Sequence, residues 1–143
     1  MRRLTQAARK GDAGAQFNLG VFCDNHTDDN GYPVADNRAE AIKWMSAAAQ
    51  QGLARAQIRL AEMYMERPDS DGSHTDACFW LLLAKGNLSN AHREQARSGY
   101  ERVVAGLSPA QIEAATKRAS LWKPMPSANP EEVPPLESRR VRR

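Results

Sequence analysis

The sequence predicts an all-α protein, and three observations lead to this prediction. A ten-residue segment recurs along the chain, small and apolar residues follow helical spacing within both copies, and no segment alternates in polarity as a strand does. The copies are residues 11–20 and 52–61, which are identical at five positions over an offset of 41 residues. A fixed period of this length indicates repeated units that bury their apolar faces against one another.

Each unit is predicted to begin with a helix that packs through small residues. The positions that share one helical face are 15, 16, 19, 20 and 23 in the first unit and 56, 57, 60, 61 and 64 in the second. Ala and Gly on this face let a neighbouring helix approach closely, while Leu19, Leu60 and Tyr64 supply apolar area.

The second helix of each unit is predicted to be anchored by a tryptophan. Trp44 and Trp80 each lie among alanines at helical spacing, so we expect both rings in the core. Gly52 and Gly86 follow these helices, where a left-handed residue commonly ends a helix. We therefore expect both glycines to be left-handed.

Polar loops rich in turn-forming residues separate the two helices of each unit, at residues 26–33 and 68–75. The whole pattern is Ala-Gln-x-x-Leu-(Gly/Ala)-x-x-Tyr, a Gly/Asp-rich loop, and Glu-Ala-x-x-Trp-x-x-x-Ala-Ala-x-x-Gly. It resembles the Sel1-like repeat, a relative of the tetratricopeptide repeat, with the best copy at residues 19–52. The resemblance to bacterial proteins with Sel1-like repeats implies an α/α superhelical solenoid of helix-turn-helix repeats.

The two copies depart from the repeat pattern at two places. Cys23 occupies a position where the repeat usually has Tyr, as Tyr64 does in the second copy. Gly86 follows its tryptophan two residues sooner than the equivalent glycine of the first copy. We expect a different last turn there, before a further helix at residues 90–104.

Residues 1–123 are interpreted as one repeat domain with a C-terminal capping helix. Its parts are a half repeat, two repeats and terminal helices, at residues 1–11, 12–52, 53–86 and 87–123. Ser108, Pro109 and Gln111 form a capping box that begins the last helix. Five of the eight prolines lie between positions 124 and 135, so residues 124–143 are predicted to be a disordered tail with a basic end.

The half repeat at residues 1–11 opens midway through a unit, because it aligns on the end of a second helix. A repeat array needs a polar cap at its end. We therefore expect the inner face of this short helix to meet a partner, a second copy of the chain, or residues upstream in a longer parent.

The positive charge lies at the two ends of the chain. Residues 11–138 hold twelve of the twenty cations and all seventeen acids, which leaves that body with a charge of −5. A nucleic-acid partner is therefore not expected for the folded body, and binding through the arginines of the tail is a minor alternative. No stretch is long and apolar enough to predict a membrane span.

No motif for a cofactor, a metal site or catalysis is found, so the sequence predicts a non-enzymatic protein. Aspartates and histidines in both loops could be drawn as metal ligands, but neither loop has the register of an EF-hand. These residues are Asp24, His26, Asp28, Asp29, Asp69, Asp71, His74 and Asp76. Cys23 and Cys78 are interpreted as small apolar core residues.

The predicted function is binding of a protein or peptide in the groove of the solenoid. The candidate partner-binding residues lie opposite the packing face of the first helix in each unit. They are Phe17, Asn18, Val21, Arg55, Arg59 and Glu62. For Phe17 the alternative is simple packing on the adjoining helix, and the same alternative applies to Ile58.

The resemblance implies a scaffold, adaptor or immunity partner, and the alternative it leaves open is a hydrolase of the β-lactam-binding Sel1-like type. The two cysteines do not occupy the paired positions of those proteins. The basic N-terminus lacks the apolar core of a secretory signal, so a cytoplasmic location is expected, or a periplasmic one if the chain belongs to a longer parent.

Overall fold

The computed structural model describes residues 2–25, 35–66, 72–86 and 90–124. Within these ranges the chain forms α-helices and no strand, which confirms the all-α class. The helices are α1 (Arg2–Arg9), α2 (Ala13–Asp24), α3 (Ala35–Gln50), α4 (Ala54–Met65), α5 (Ser73–Lys85), α6 (Asn90–Val104) and α7 (Pro109–Leu121). Their contacts divide them into an N-terminal unit with α1–α3 and a C-terminal unit with α4–α7.

The helices of the N-terminal unit enclose a small apolar cluster. Its buried members are Ala8, Ala15, Leu19 and Trp44, and its partly buried members are Leu4, Ala7 and Cys23. The Trp44 side chain is only 5% exposed, which confirms the predicted anchor. The cluster draws on both helices that precede the first loop and on α3, which follows it.

Helices α2 and α3 approach each other closely at Gly20. A methyl group on this residue would lie 2.9 Å from Met45 Cε and 3.3 Å from the carbonyl oxygen of Ala41. Both distances are shorter than ordinary van der Waals contact, so only glycine fits without a shift of its neighbours. The predicted role of small residues on this face is confirmed at this point.

Two buried or half-buried glutamines join the ends of the three N-terminal helices. Gln16 Nε2 donates to the carbonyl oxygen of Ala8 at 3.0 Å, and Gln51 Nε2 donates to the carbonyl oxygen of Gly11 at 2.7 Å. Gln51 Nε2 also donates to Gln16 Oε1 at 2.8 Å. The side chains thus donate to carbonyl groups in and just after the last turn of α1, and connect this turn to α2 and to the end of α3.

Helices α1 and α3 end in turns of the same geometry. Gly11 and Gly52 are both left-handed, with φ of 99° and 96°. The amide of the next residue donates to the carbonyl oxygen five residues before it, at 3.1 Å after Gly11 and at 3.4 Å after Gly52. This arrangement is a Schellman motif, and the left-handed conformation expected for Gly52 is confirmed.

The same expectation for Gly86 is wrong. Its φ is −77°, and its amide donates to the carbonyl oxygen of Leu82 at 3.2 Å. The helical hydrogen-bonding pattern therefore continues through Gly86, which is itself right-handed. At this helix end the glycine follows the tryptophan two residues sooner than in the first copy, where Gly52 follows Trp44.

Helix α5 is the centre of the C-terminal unit, where it packs against α4, α6 and α7. The Trp80 side chain is 1% exposed, as predicted for an anchor. Its ring makes edge-to-face contacts with the rings of Phe79, at 4.9 Å between centroids, and of Trp122, at 6.4 Å. Trp122 follows α7, so aromatic contacts hold the end of that helix against α5.

The last two helices lie where the sequence predicts them. α6 spans the expected residues, and the capping box at the start of α7 is confirmed. Ser108 Oγ accepts from the Gln111 amide at 3.2 Å, and the Ser108 amide donates to Gln111 Oε1 at 2.8 Å. The loop predicted at residues 26–33 and residues 125–143 of the predicted tail lie outside the described part of the chain.

An ion pair between a buried carboxylate and a partly exposed guanidinium connects α5 to α7. Asp76 is fully buried, and Arg118 Nη1 donates to its Oδ1 at 2.9 Å. The guanidinium carbon of Arg118 also lies 4.5 Å from the centre of the Phe79 ring.

The predicted loop at residues 68–75 extends too far at its C-terminal end. Helix α5 already begins at Ser73, after the left-handed Gly72, and Asp76 lies within this helix.

The difference between the two helix-ending glycines leads to a paired prediction. Gly52→Ala is expected to lower the free energy of unfolding by about 1 kcal/mol, because alanine is strained at positive φ. Gly86→Ala is the matched control, since a Cβ there meets its nearest atoms at 3.6 Å. We expect it to change stability by less than about 0.5 kcal/mol in urea unfolding followed by circular dichroism. Equal losses in the two variants would contradict the difference in backbone conformation.

The ion pair of Asp76 and Arg118 leads to a second prediction. Arg118→Met leaves the Asp76 carboxylate without this counter-charge, so we expect a loss of about 3 kcal/mol in urea unfolding. Adding Asp76→Asn to that variant is expected to restore more than half of the loss, because the buried charge is then gone. Lys123→Met, at an exposed position beyond the same helix, is the control and should have almost no effect. A double variant as unstable as Arg118→Met alone would argue against the charge as the cause.

Candidate interaction surface

The predicted residues of the N-terminal unit lie on the side of α2 away from its packing face. Asn18 is exposed, while Phe17 and Val21 are half-buried. The packing face itself is formed by Ala15, Leu19 and their neighbours, as predicted. Asn18 is therefore available to a partner, and Phe17 and Val21 offer part of their apolar surface beside it.

The predicted residues of the C-terminal unit lie along α4. Arg55 is exposed, and Arg59 and Glu62 are half-buried. Ile58, in contrast, is 3% exposed and packs with Ala84 of α5 and Ala96 of α6. For Ile58 the structural alternative is therefore confirmed, because its side chain belongs to the contact between helices.

A shallow depression lies between α4 and α6, and two of the predicted residues line it. Its volume is about 280 Å³, and the described residues around it are Arg59, Glu62, Met65, Glu66 and Arg102. Four of these belong to α4 or follow it directly, and Arg102 belongs to α6. We call this group the α4/α6 depression.

The charges of the depression form a loose network. Arg59 Nη1 lies 3.7 Å from Glu62 Oε1 and 3.8 Å from Glu66 Oε1. These distances exceed those of good hydrogen bonds, and all three side chains are at least 31% exposed. Exposed pairs at such distances contribute little to stability.

The lining of the depression suits recognition of side chains. Two guanidinium groups offer fixed donors for a carboxylate, two carboxylates accept from a cation, and Met65 adapts to apolar groups of varied shape. A volume of about 280 Å³ lies below the range usual for cofactor pockets. A depression of this size has room for one or two side chains.

Three lining residues were not among those predicted from the sequence. Glu66 follows Glu62 by one helical turn, so the sequence contains a local signal for it. Met65 lacks such a signal, and Arg102 requires knowledge of which helix packs beside α4. Arg102 makes no ion pair with another residue in the described part of the chain, which leaves its guanidinium available.

The cysteines do not resemble activated nucleophiles. Cys78 is fully buried, and this burial raises the pKa of its thiol to about 11. Burial also raises the pKa of the half-exposed Cys23, with a smaller contribution from the charge of Glu40. Both thiols are thus protonated at neutral pH, the opposite of what a catalytic cysteine requires.

The aspartates considered as metal ligands have other partners where the structure describes them. Asp24 accepts from Arg38, and Asp76 accepts from Arg118. Across residues 2–25, 35–66, 72–86 and 90–124, no three His, Cys, Asp or Glu side chains form a group suited to a metal ion. The other acids of both loops, with His26, lie outside these ranges.

Comparison with known proteins adds no assignment. Protein-family models, curated proteins and solved structures give no significant match to the chain. The Sel1-like family therefore remains a prediction that rests on the repeat pattern. Among the described helices, none combines the length and the apolar character needed to cross a bilayer.

The burial of the cysteines leads to a prediction about their reactivity. At pH 8 a water-soluble thiol reagent is expected to modify Cys23 in the folded protein and to leave Cys78 unmodified, because Cys78 is buried and protonated. The Cys23→Ala variant should react only after denaturant is added, as measured by the absorbance of the released thiolate. Rapid modification of folded Cys23→Ala would show that the Cys78 thiol is accessible. Cys78 would then be a candidate nucleophile.

Proposed function

We propose that the chain is a non-catalytic protein-interaction module, a scaffold or adaptor of the Sel1-like type, that binds a protein or peptide segment. The observation that carries this proposal is the α4/α6 depression. It brings Arg59 and Glu62, two residues predicted from the sequence, together with Arg102 from another helix. An immunity or regulatory role is one form that such binding takes in bacterial proteins with this repeat.

The local structure of each unit supports the proposed repeats. Helix pairs α2–α3 and α4–α5 pack against each other within their own units, inside the repeats proposed at residues 12–52 and 53–86. The equivalent glycines Gly11 and Gly52 end their helices in the same way, over the offset of 41 found in the sequence. The stacking of these pairs into a solenoid is part of the proposal.

The chemistry of the depression defines the partner segment. It should carry an acidic side chain for Arg102, and a basic side chain for the carboxylates of Glu62 and Glu66. An aliphatic or aromatic side chain between them would cover Met65. In the N-terminal unit, Asn18 and the exposed parts of Phe17 and Val21 are proposed to contact a protein partner.

Peptide selection tests this function directly. A library of random linear peptides displayed on phage is selected against the folded chain, and the Kd of synthetic winners is measured by fluorescence anisotropy. We expect winners with mixed charge, whose Kd rises with salt because exposed charges are screened. Glu62→Lys and Arg102→Glu should each raise the Kd at least about tenfold.

Exposed residues of α6 outside the depression provide the controls. Glu101→Lys and Arg93→Glu make the same changes of charge and are expected to leave the Kd nearly unchanged. Unfolding curves of all four variants should match the wild type, because none of these side chains is in the core. The proposal is wrong if no peptide is selected, or if the control variants weaken binding as much as the other two. Turnover of a β-lactam by the wild type would favour the hydrolase alternative.

A further inference from the structure

The outer face of α7 differs from an ordinary solvent-facing helix surface. The helix packs inward through the fully buried Ala115. On the opposite side five exposed residues share one face at helical spacing. They are Ala110, Glu113, Ala114, Lys117 and Leu121.

Leu121 is the most unusual member of this face. Its side chain is 73% exposed, and only one other large hydrophobic residue in the described part of the chain, Phe22, is exposed. Ala110 and Ala114 lie on the same side and leave room for another helix to approach closely. The face therefore combines an exposed apolar side chain with space beside it.

The face carries two opposite charges, on Glu113 and Lys117. No ion pair joins Glu113 or Lys117 to another residue in the parts of the chain that are described. They are four residues apart on a helix, with the acid first, which is a favourable spacing for an ion pair. Both charged groups are nevertheless available to a group outside the chain.

The positions on this face are complementary to themselves when two helices run antiparallel. A two-fold axis beside residues 115 and 116 places Leu121 of each copy over Ala110 of the other. It also places Lys117 over Ala114 of the second copy, within reach of the carboxylate of that copy's Glu113. We propose that α7 is the contact surface of a symmetric dimer, and that its occupant is a second copy of this chain.

The size of the surface predicts how tight this dimer is. A helix of 13 residues is about 20 Å long, so one antiparallel pair buries less area than a standard interface. The dimer is therefore weak and depends on protein concentration. The exposed face of α7 shares no residue with the lining of the α4/α6 depression. The proposed binding function is therefore compatible with both the monomer and the dimer.

The surface of α1 does not offer the same complementarity. Arg3, Arg9 and Lys10 are exposed, and residues 2–11 contain no acid. Two such surfaces repel each other, whereas the charges on α7 attract across the two-fold axis. The self-association that the sequence suggests for the N-terminal half repeat is thus better supported at the other end of the chain.

Charge reversal tests the proposed dimer. Sedimentation velocity of the whole chain, from about 10 µM to about 1 mM, is expected to show a shift from monomer to dimer. In Glu113→Lys the new positive charge faces Lys117 of the other copy, and in Lys117→Glu the new negative charge faces Glu113 of the other copy. Each variant should therefore weaken dimerisation at least about tenfold. An equimolar mixture of these two variants should dimerise again, because each then meets its opposite. The double variant Glu113→Lys/Lys117→Glu should also form a homodimer, because exchanging the two charges restores opposite charges across the axis.

Leu121→Ser and a remote charge change complete the design. Leu121→Ser removes the apolar contact and should also weaken the dimer at least about tenfold, while its exposed position keeps the fold stable. Glu101→Lys, on the exposed side of α6, is the control and should dimerise as the wild type does. A wild type that stays monomeric up to about 1 mM overturns the proposal. A dimer that survives both single charge reversals also overturns it and places the contact elsewhere, for example on α1.

Discussion

Close approach of helix backbones is the constraint on which the rest of this structure depends. Gly20 lets α2 approach the backbone of α3, and Gly99 lets α6 approach the side chain of Leu81, where a Cβ would lie 3.0 Å from Cδ2. Many other buried positions are alanines, among them the fully buried Ala8 and Ala96. Because such small residues contribute little apolar area each, larger buried side chains supply much of the apolar area, among them Trp44 in the N-terminal unit and Trp80 in the C-terminal unit.

Local and periodic features of the fold could be predicted from the sequence, and features that depend on neighbouring helices could not. Helical spacing identified Leu60 and Trp80 as core residues, and the cap at Ser108 is encoded within four residues. Gly86 was mistaken for a left-handed residue because a glycine after a helix fits either conformation. Arg102 was missed because nothing near it in the sequence shows that α6 lies beside α4.

The separation of stability from recognition follows from where charges lie. At the α4/α6 depression the ion pairs that join Arg59 to Glu62 and Glu66 are long and partly exposed, so these two pairs cost little to break. At the contact of α5 and α7 the carboxylate of Asp76 is fully buried, so breaking its pair with Arg118 leaves a desolvated charge. The exposed charges of the depression allow a partner to compete for them. The pair of Asp76 and Arg118 keeps α7 in place on α5.

The pair of Asp76 and Arg118 also determines which side of α7 faces outward. Rotation of the helix about its axis would draw Arg118 away from Asp76 and from the Phe79 ring, and would move Trp122 off Trp80. These contacts hold the helix at one rotation, and helical spacing then directs Glu113, Lys117 and Leu121 to the opposite side. Pre-organisation of this kind lowers the entropy lost on association. A weak surface of one helix therefore gains specificity from a charge pair that never touches the second copy.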